Sequence, residues 1–220
     1  LPILYHVLNP IINPPSPPAR DFFVLQAAWL ILRYGFSRIK NATAGGQRTF
    51  PKGLFFGGTK LEQGPARYRA LLVERMAGVK SAVAVDVHTG LGKYGEDVLL
   101  VSSKNFMRLR SALGARVTPL SAEAGPAFNA SGSIYEMLEK VLPAGSFIVA
   151  QEFGTYAPVK VLRAMREENR WHHYGAGSPD GPIKMQMKDA FYPPHDDWRA
   201  AIIHRGRELF TQSLNLLQRN

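Results

Sequence analysis

The chain has 220 residues, 45% hydrophobic and 20% charged, which excludes a disordered polyelectrolyte and predicts one folded domain of ordinary size. It has no cysteine, so disulfides and thiolate metal sites are excluded and any metal must rest on histidine and carboxylate ligands. The net charge of +10 is uneven, with 15 Lys/Arg against 6 Asp/Glu in residues 1–110 and 12 against 11 in residues 111–220. The basic residues are scattered rather than run together, which favours a solvated basic surface over a nucleic-acid module.

In chain order, Ile3 to Leu8 reads as a short strand ended by Asn9-Pro10, and the proline-rich stretch from Ile11 to about Arg20 as an extended loop. Asp21 is placed to cap a helix from Phe22 to about Ala42, apolar around most of its first half and therefore expected to be largely buried. Its apolar run, Phe22 to Leu32, is broken by Gln26 and stopped by Arg33, short of the roughly 20 residues that cross a bilayer, so no membrane partner is expected. No signal peptide is visible, and the first residue is Leu1 rather than Met, so the translated product is expected to be longer. An intracellular setting, cytoplasm or organelle matrix, is the expectation.

Gln47 to Gly64 reads as an ordered loop with aromatic anchors, and Pro65 opens a helix with Tyr68, Leu71, Leu72 and Met76 on one face. Ser81 to Val85 predicts a buried strand, followed by Asp86-Val-His88-Thr-Gly90 and a glycine-punctuated loop through Gly92 and Gly95. Val98 to Ser102 and Val117 to Leu120 are further strands, with a helix over 104–113 between them and a Gly/Pro/Asn loop after Leu120. Ser133 and Glu136 form a capping box for a helix carrying Ile134, Met137, Leu138, Val141 and Leu142. Phe147 to Phe153 is a second strong strand, and Pro158 opens a helix to about Arg170. Trp171 to Gly175 and Ser178 to Pro182 read as loop, and a helix over 196–220 closes the chain behind Asp196 and Asp197. The alternation predicts a single α/β domain over 1–220, with a mixed, mostly parallel sheet flanked by helices.

Two strands end in a chemically capable group, His88 on one and Glu152 on the other. Alternation along a strand puts Asp86 and His88 on the same side. If the strands are neighbours, an imidazole and a carboxylate meet at the carboxyl edge of the sheet, where ligands bind in open α/β folds. Such a pair is half of a zinc hydrolase, in which a glutamate takes a proton from zinc-bound water. The plainer alternatives stand beside it: His88 as a hydrogen-bonded cap on a core strand, and Glu152 as a carboxylate bonding loop amides.

The blocks Val85-Asp-Val-His-Thr-Gly-Leu-Gly92, Gln151-Glu-Phe-Gly-Thr155 and Glu168-Asn-Arg-Trp-His-His173 resemble the zinc carboxypeptidase family, in its branch with an Asp-x-His-Thr-Gly block. The resemblance covers nearly the whole chain, including Phe50 to Gly58 and the stretch before Pro126. It implies zinc as cofactor, His88 as the third zinc ligand, Glu152 as the catalytic glutamate, and Asp86, Thr89, Gly90 and Thr155 as residues around them. It suggests a Trp-His-His wall containing His172 and His173, for which packing and hydrogen bonding is the plainer alternative. The substrate it implies is a peptide or N-acyl amino acid with a free carboxylate beside the scissile amide.

Two departures qualify this. None of the six histidines is followed three residues on by glutamate, so the family's His-x-x-Glu is missing and is expected upstream of Leu1. Pro10 also runs straight into Ile11, where the family carries an Asn-Arg segment that grips the substrate carboxylate. Glu168 and His172, four apart, are the replacement metal pair the sequence offers. The second reading is a catalytically degenerate relative, a basic structural subunit of a larger ribonucleoprotein or organellar assembly, with protein partners. Direct nucleic-acid binding rests on charge alone.

Overall fold

The computed structural model describes residues 2–120 and 132–218. The Gly/Pro/Asn loop expected after Leu120 and the stretch before Pro126 lie outside the described residues, apart from Gly132. The described chain forms two compact units, one from residues 2–59 and 156–193, the other from residues 60–120, 132–155 and 194–218.

The first unit is helical. Helix α1 (Pro2–Ile12) replaces the strand expected at 3–8. Its β-rich hexapeptide is overridden by packing, because Tyr5, Leu8 and Ile12 fall on one helical face and are buried with Leu30 and Ala42. The long second helix is two: α2 (Phe23–Tyr34) and α3 (Phe36–Ala44), separated at Gly35, whose φ of 80° falls outside the helical region. Asp21 accepts from the Phe23 amide at 3.1 Å, but the N-cap position falls on Phe22, which makes no side-chain cap bond, so Asp21 sits one residue before the cap expected of it. The expected burial of α2 fails: only Phe23, Ala27 and Leu30 are buried.

Helix α7 (Pro158–Tyr174) runs through Trp171-His-His-Tyr, correcting the loop reading there, and α8 (Pro182–Phe191) follows. Two buried arginines of α7 hold the proline-rich stretch. Arg166 donates to the Ile11 carbonyl, and Arg170 to the carbonyls of Ser16 and Pro17. Both guanidinium groups also pair with Asp21.

The second unit holds the sheet, in strand order β1-β4-β2-β3. These are β1 (Val83–Tyr94), β2 (Asp97–Val101), β3 (Val117–Pro119) and β4 (Phe147–Gly154). The β1–β4 and β2–β3 pairs are parallel and β2–β4 is antiparallel, so the class is α/β with a mixed, mostly parallel sheet. The glycine loop expected after Gly90 is part of β1, whose register with β4 is irregular between Thr89 and Tyr94. Helices α4 (Gln63–Arg75), α5 (Phe106–Leu113), α6 (Ile134–Val141) and α9 (Asp196–Gln218) complete the unit.

One face of the sheet packs Leu99, Val101, Phe147 and Val149 against Leu109 and Leu113 of α5 and Leu209 and Leu216 of α9. The other packs Ile148 and Ala84 against Tyr135 and Leu138 of α6 and Leu72 of α4. Each fully buried large apolar side chain contributes roughly 1.5–3 kcal/mol, against about 1 kcal/mol for a typical hydrogen bond. The apolar faces, rather than any polar contact, therefore fix the register that positions the site.

Candidate functional site

Parallel pairing of β1 with β4 sets His88 opposite Glu152. Neighbouring strands lie about 4.8 Å apart, and side chains at paired positions share a face. That face also carries Asp86, Ala84 and Ile148, by alternation. Nε2 of His88 lies 2.7 Å from Oδ2 of Asp86, so the Nε2 proton is donated to that carboxylate and Nδ1 is left to act elsewhere. A histidine whose second nitrogen is held by a carboxylate has its ring orientation and tautomer fixed, as metal-ligating and catalytic histidines do. Its side chain is half exposed, on the edge strand of the sheet.

Glu152 is placed differently. Burial pushes its carboxyl above the ordinary glutamate value and the nearby Asp86 charge adds to the rise, while the hydrogen bond from the Leu91 amide and the charge of His88 oppose it. That amide bond, 3.2 Å to Oε1, is the loop-amide contact of the plainer reading, so Glu152 is both anchored and desolvated. Leu91 was not singled out in the sequence; the glycines on either side of it were the available signal.

The surrounding residues close the strand ends. Thr155, buried, donates from Oγ1 to the Gly90 carbonyl at 3.4 Å, and Thr89 pairs in register with Phe153. Gly154 is required by close approach, because a Cβ there would stand 2.0 Å from the Lys93 carbonyl oxygen. The Trp198 indole donates to the Gly154 carbonyl at 2.8 Å, fixing the start of α9 against the end of β4.

Gln151 points to the opposite face from Glu152. Its Nε2 donates at 2.7 Å to Asp97, a buried carboxylate that also receives Arg116 and Arg205. This polar cluster was not anticipated in the sequence, where Asp97 was only the residue before a strand.

His172 and His173 belong to the helical unit, at the last turn of α7, with ring centroids 4.7 Å apart. Burial, helped by the charges of His172 and Lys52, holds His173 below the usual histidine value. Glu168, offered as half of a replacement metal pair, is engaged by Lys184 instead. Among the described residues no group of three or more His, Asp or Glu side chains is placed to hold a metal ion.

Residues 3–205 match the family described as "Protein of unknown function (DUF2817)". The chain belongs to that family. No curated protein and no solved structure matches it. The β1–β4 site lies wholly within the matched span of this family member.

Proposed function

We propose that this family member is a carboxypeptidase-like hydrolase of an amide bond next to a free carboxylate, with Glu152 handling the proton. The observation that carries the reading is the parallel register setting a desolvated glutamate beside a carboxylate-held histidine. A carboxyl raised toward neutrality is suited to taking a proton from water and returning it to the leaving amine. The Asp-x-His-Thr-Gly and Gln-Glu-Phe-Gly-Thr blocks support the class, and the substrate, a peptide or N-acyl amino acid, rests on that resemblance.

Zinc, which the resemblance implies, does not fit the described residues. Catalytic zinc takes three protein ligands. Here His88 stands with two carboxylates already engaged, Asp86 by His88 itself and Glu152 by the Leu91 amide. No step is therefore assigned to a metal.

The second reading, a catalytically degenerate relative that serves as a basic structural subunit of a larger assembly, is favoured by the same lack of a three-ligand cluster among the described residues. Hydrolysis and calorimetric binding of a C-terminally free peptide and an N-acyl amino acid, compared with Glu152→Gln, separate the two. Turnover that disappears in the variant supports the hydrolase. No turnover in either protein, with the chain co-purifying in a large complex at moderate salt, supports the second reading, and a clean monomer without turnover removes both.

A further inference from the structure

The side of α2 turned away from its core is apolar and exposed. Phe22, Leu25, Trp29 and Leu32 recur at spacings of three, four and three, and are 76%, 67%, 55% and 87% exposed. Phe36, at the start of α3, is also exposed. The buried stripe of Phe23, Ala27 and Leu30 satisfies the core, so folding of this unit does not explain the second stripe. A contiguous exposed apolar stripe marks an interaction surface.

The net charge of the unit that carries this stripe favours an anionic partner. Residues 1–59 hold six Lys/Arg (Arg20, Arg33, Arg38, Lys40, Arg48, Lys52) and one acidic residue, Asp21, which Arg166 and Arg170 already engage. Over the stretches 1–59 and 156–193 of the helical unit, Lys/Arg number twelve against five Asp/Glu, most of the chain's net +10. A second copy would oppose like charges across the contact. A protein partner would have to present an apolar groove shaped to this helix together with an acidic rim. An anionic lipid surface supplies both the apolar layer and the charge without a shaped partner. Phenylalanine, tryptophan and leucine on the exposed side with Arg33 beside them match the apolar face of a helix that lies in the headgroup region, and the further basic charge comes from the rest of the unit rather than from α2 itself.

We propose that α2 docks this chain on an anionic lipid surface, with Phe22, Leu25, Trp29 and Leu32 entering the headgroup boundary and Arg33 and Arg38 meeting lipid phosphates or carboxylates. No helix among the described residues is long and apolar enough to cross a membrane, so the contact is peripheral. It is independent of the reading of His88 and Glu152.

The test is co-sedimentation of the whole chain with vesicles of phosphatidylcholine alone and with phosphatidylserine added, at low and high salt. Binding is expected only with phosphatidylserine and is weakened by salt. Leu25→Glu/Leu32→Glu, and separately Arg33→Glu/Arg38→Glu, reduce it about tenfold or more. These side chains are exposed, so circular dichroism and the melting temperature stay at wild-type values, and the charge pair serves as the readout should the leucine pair fail to fold. Equal binding to both vesicle types, no binding to either, or wild-type binding by folded variants overturns the proposal. So does self-association that Leu25→Glu/Leu32→Glu abolishes in a protein that ignores vesicles.

Discussion

Glu152 stands directly opposite His88 across the β1–β4 pair, on the sheet face where Asp86 holds the imidazole. Burial disfavours its charged form, so it costs folding free energy at neutral pH. A group with a raised folded pKa contributes fully below its unfolded value and loses that contribution as pH rises. Glu152→Gln keeps an acceptor for the Leu91 amide and removes the charge. The expected result is an unchanged or higher melting temperature at pH 7 together with lost turnover. A melting temperature several degrees lower would show that the carboxylate is a structural anchor instead.

Asp97 is 4% exposed and draws Arg116, Arg205 and Gln151 to one point. Asp97→Ala leaves the half of this cluster that cannot reach water without its counter-charge. Arg205 is partly solvated and Arg116 retains Glu208, so the loss falls near the low end of the range for broken buried pairs, about 3 kcal/mol. Urea denaturation measures it, and a change under about 1 kcal/mol would mean that solvent replaces the carboxylate.

Burial alone raises the Asp21 carboxyl, but hydrogen bonds from Arg166 and the Phe23 amide, with the charges of Arg166 and Arg170, bring it below its ordinary value of 3.8. A depressed folded pKa gives stability that is present above the unfolded value and lost as pH falls through the folded one. Wild type should therefore melt above Asp21→Asn at neutral pH. The gap should start to close below about pH 4 and vanish at stronger acid. A gap independent of pH would place the effect in packing rather than charge.

Gly154→Ala drives a methyl group into the Lys93 carbonyl and Gly92 backbone, which no rotamer change relieves. A loss of about 3 kcal/mol is expected, read as a lower urea midpoint. Wild-type stability would require the strand ends to separate freely.

Strand β4 was legible as a short apolar run ending in a polar residue and glycine. The short buried strand expected at 81–85 is instead an edge strand of 12 residues that runs past His88 to Tyr94 and buries none of those five; alternation alone puts Asp86 and His88 on one side. That β4 lies between β1 and β2 was not legible, since strand order depends on contacts between distant segments. Helix α1 was misread because Ile-Leu-Tyr-His-Val-Leu has strand-like composition, and only its burial against Leu30 and Ala42 decides for a helix. The α2 reading failed in the opposite way: a helix apolar all round looks buried, yet this one buries a single stripe. The Arg166–Asp21 and Arg205–Asp97 pairs join residues more than a hundred positions apart, beyond any local pattern.

Gln151 and Glu152 are adjacent in β4 yet serve opposite faces, one bound to Asp97 and the other set against His88. A slip of one position in this strand would exchange them, driving the glutamate into the arginine cluster and removing the amide from its carboxylate. The error that would disarm the site would also dismantle the core. A misaligned chain would thus reveal itself by instability rather than persist as a well-folded but silent population.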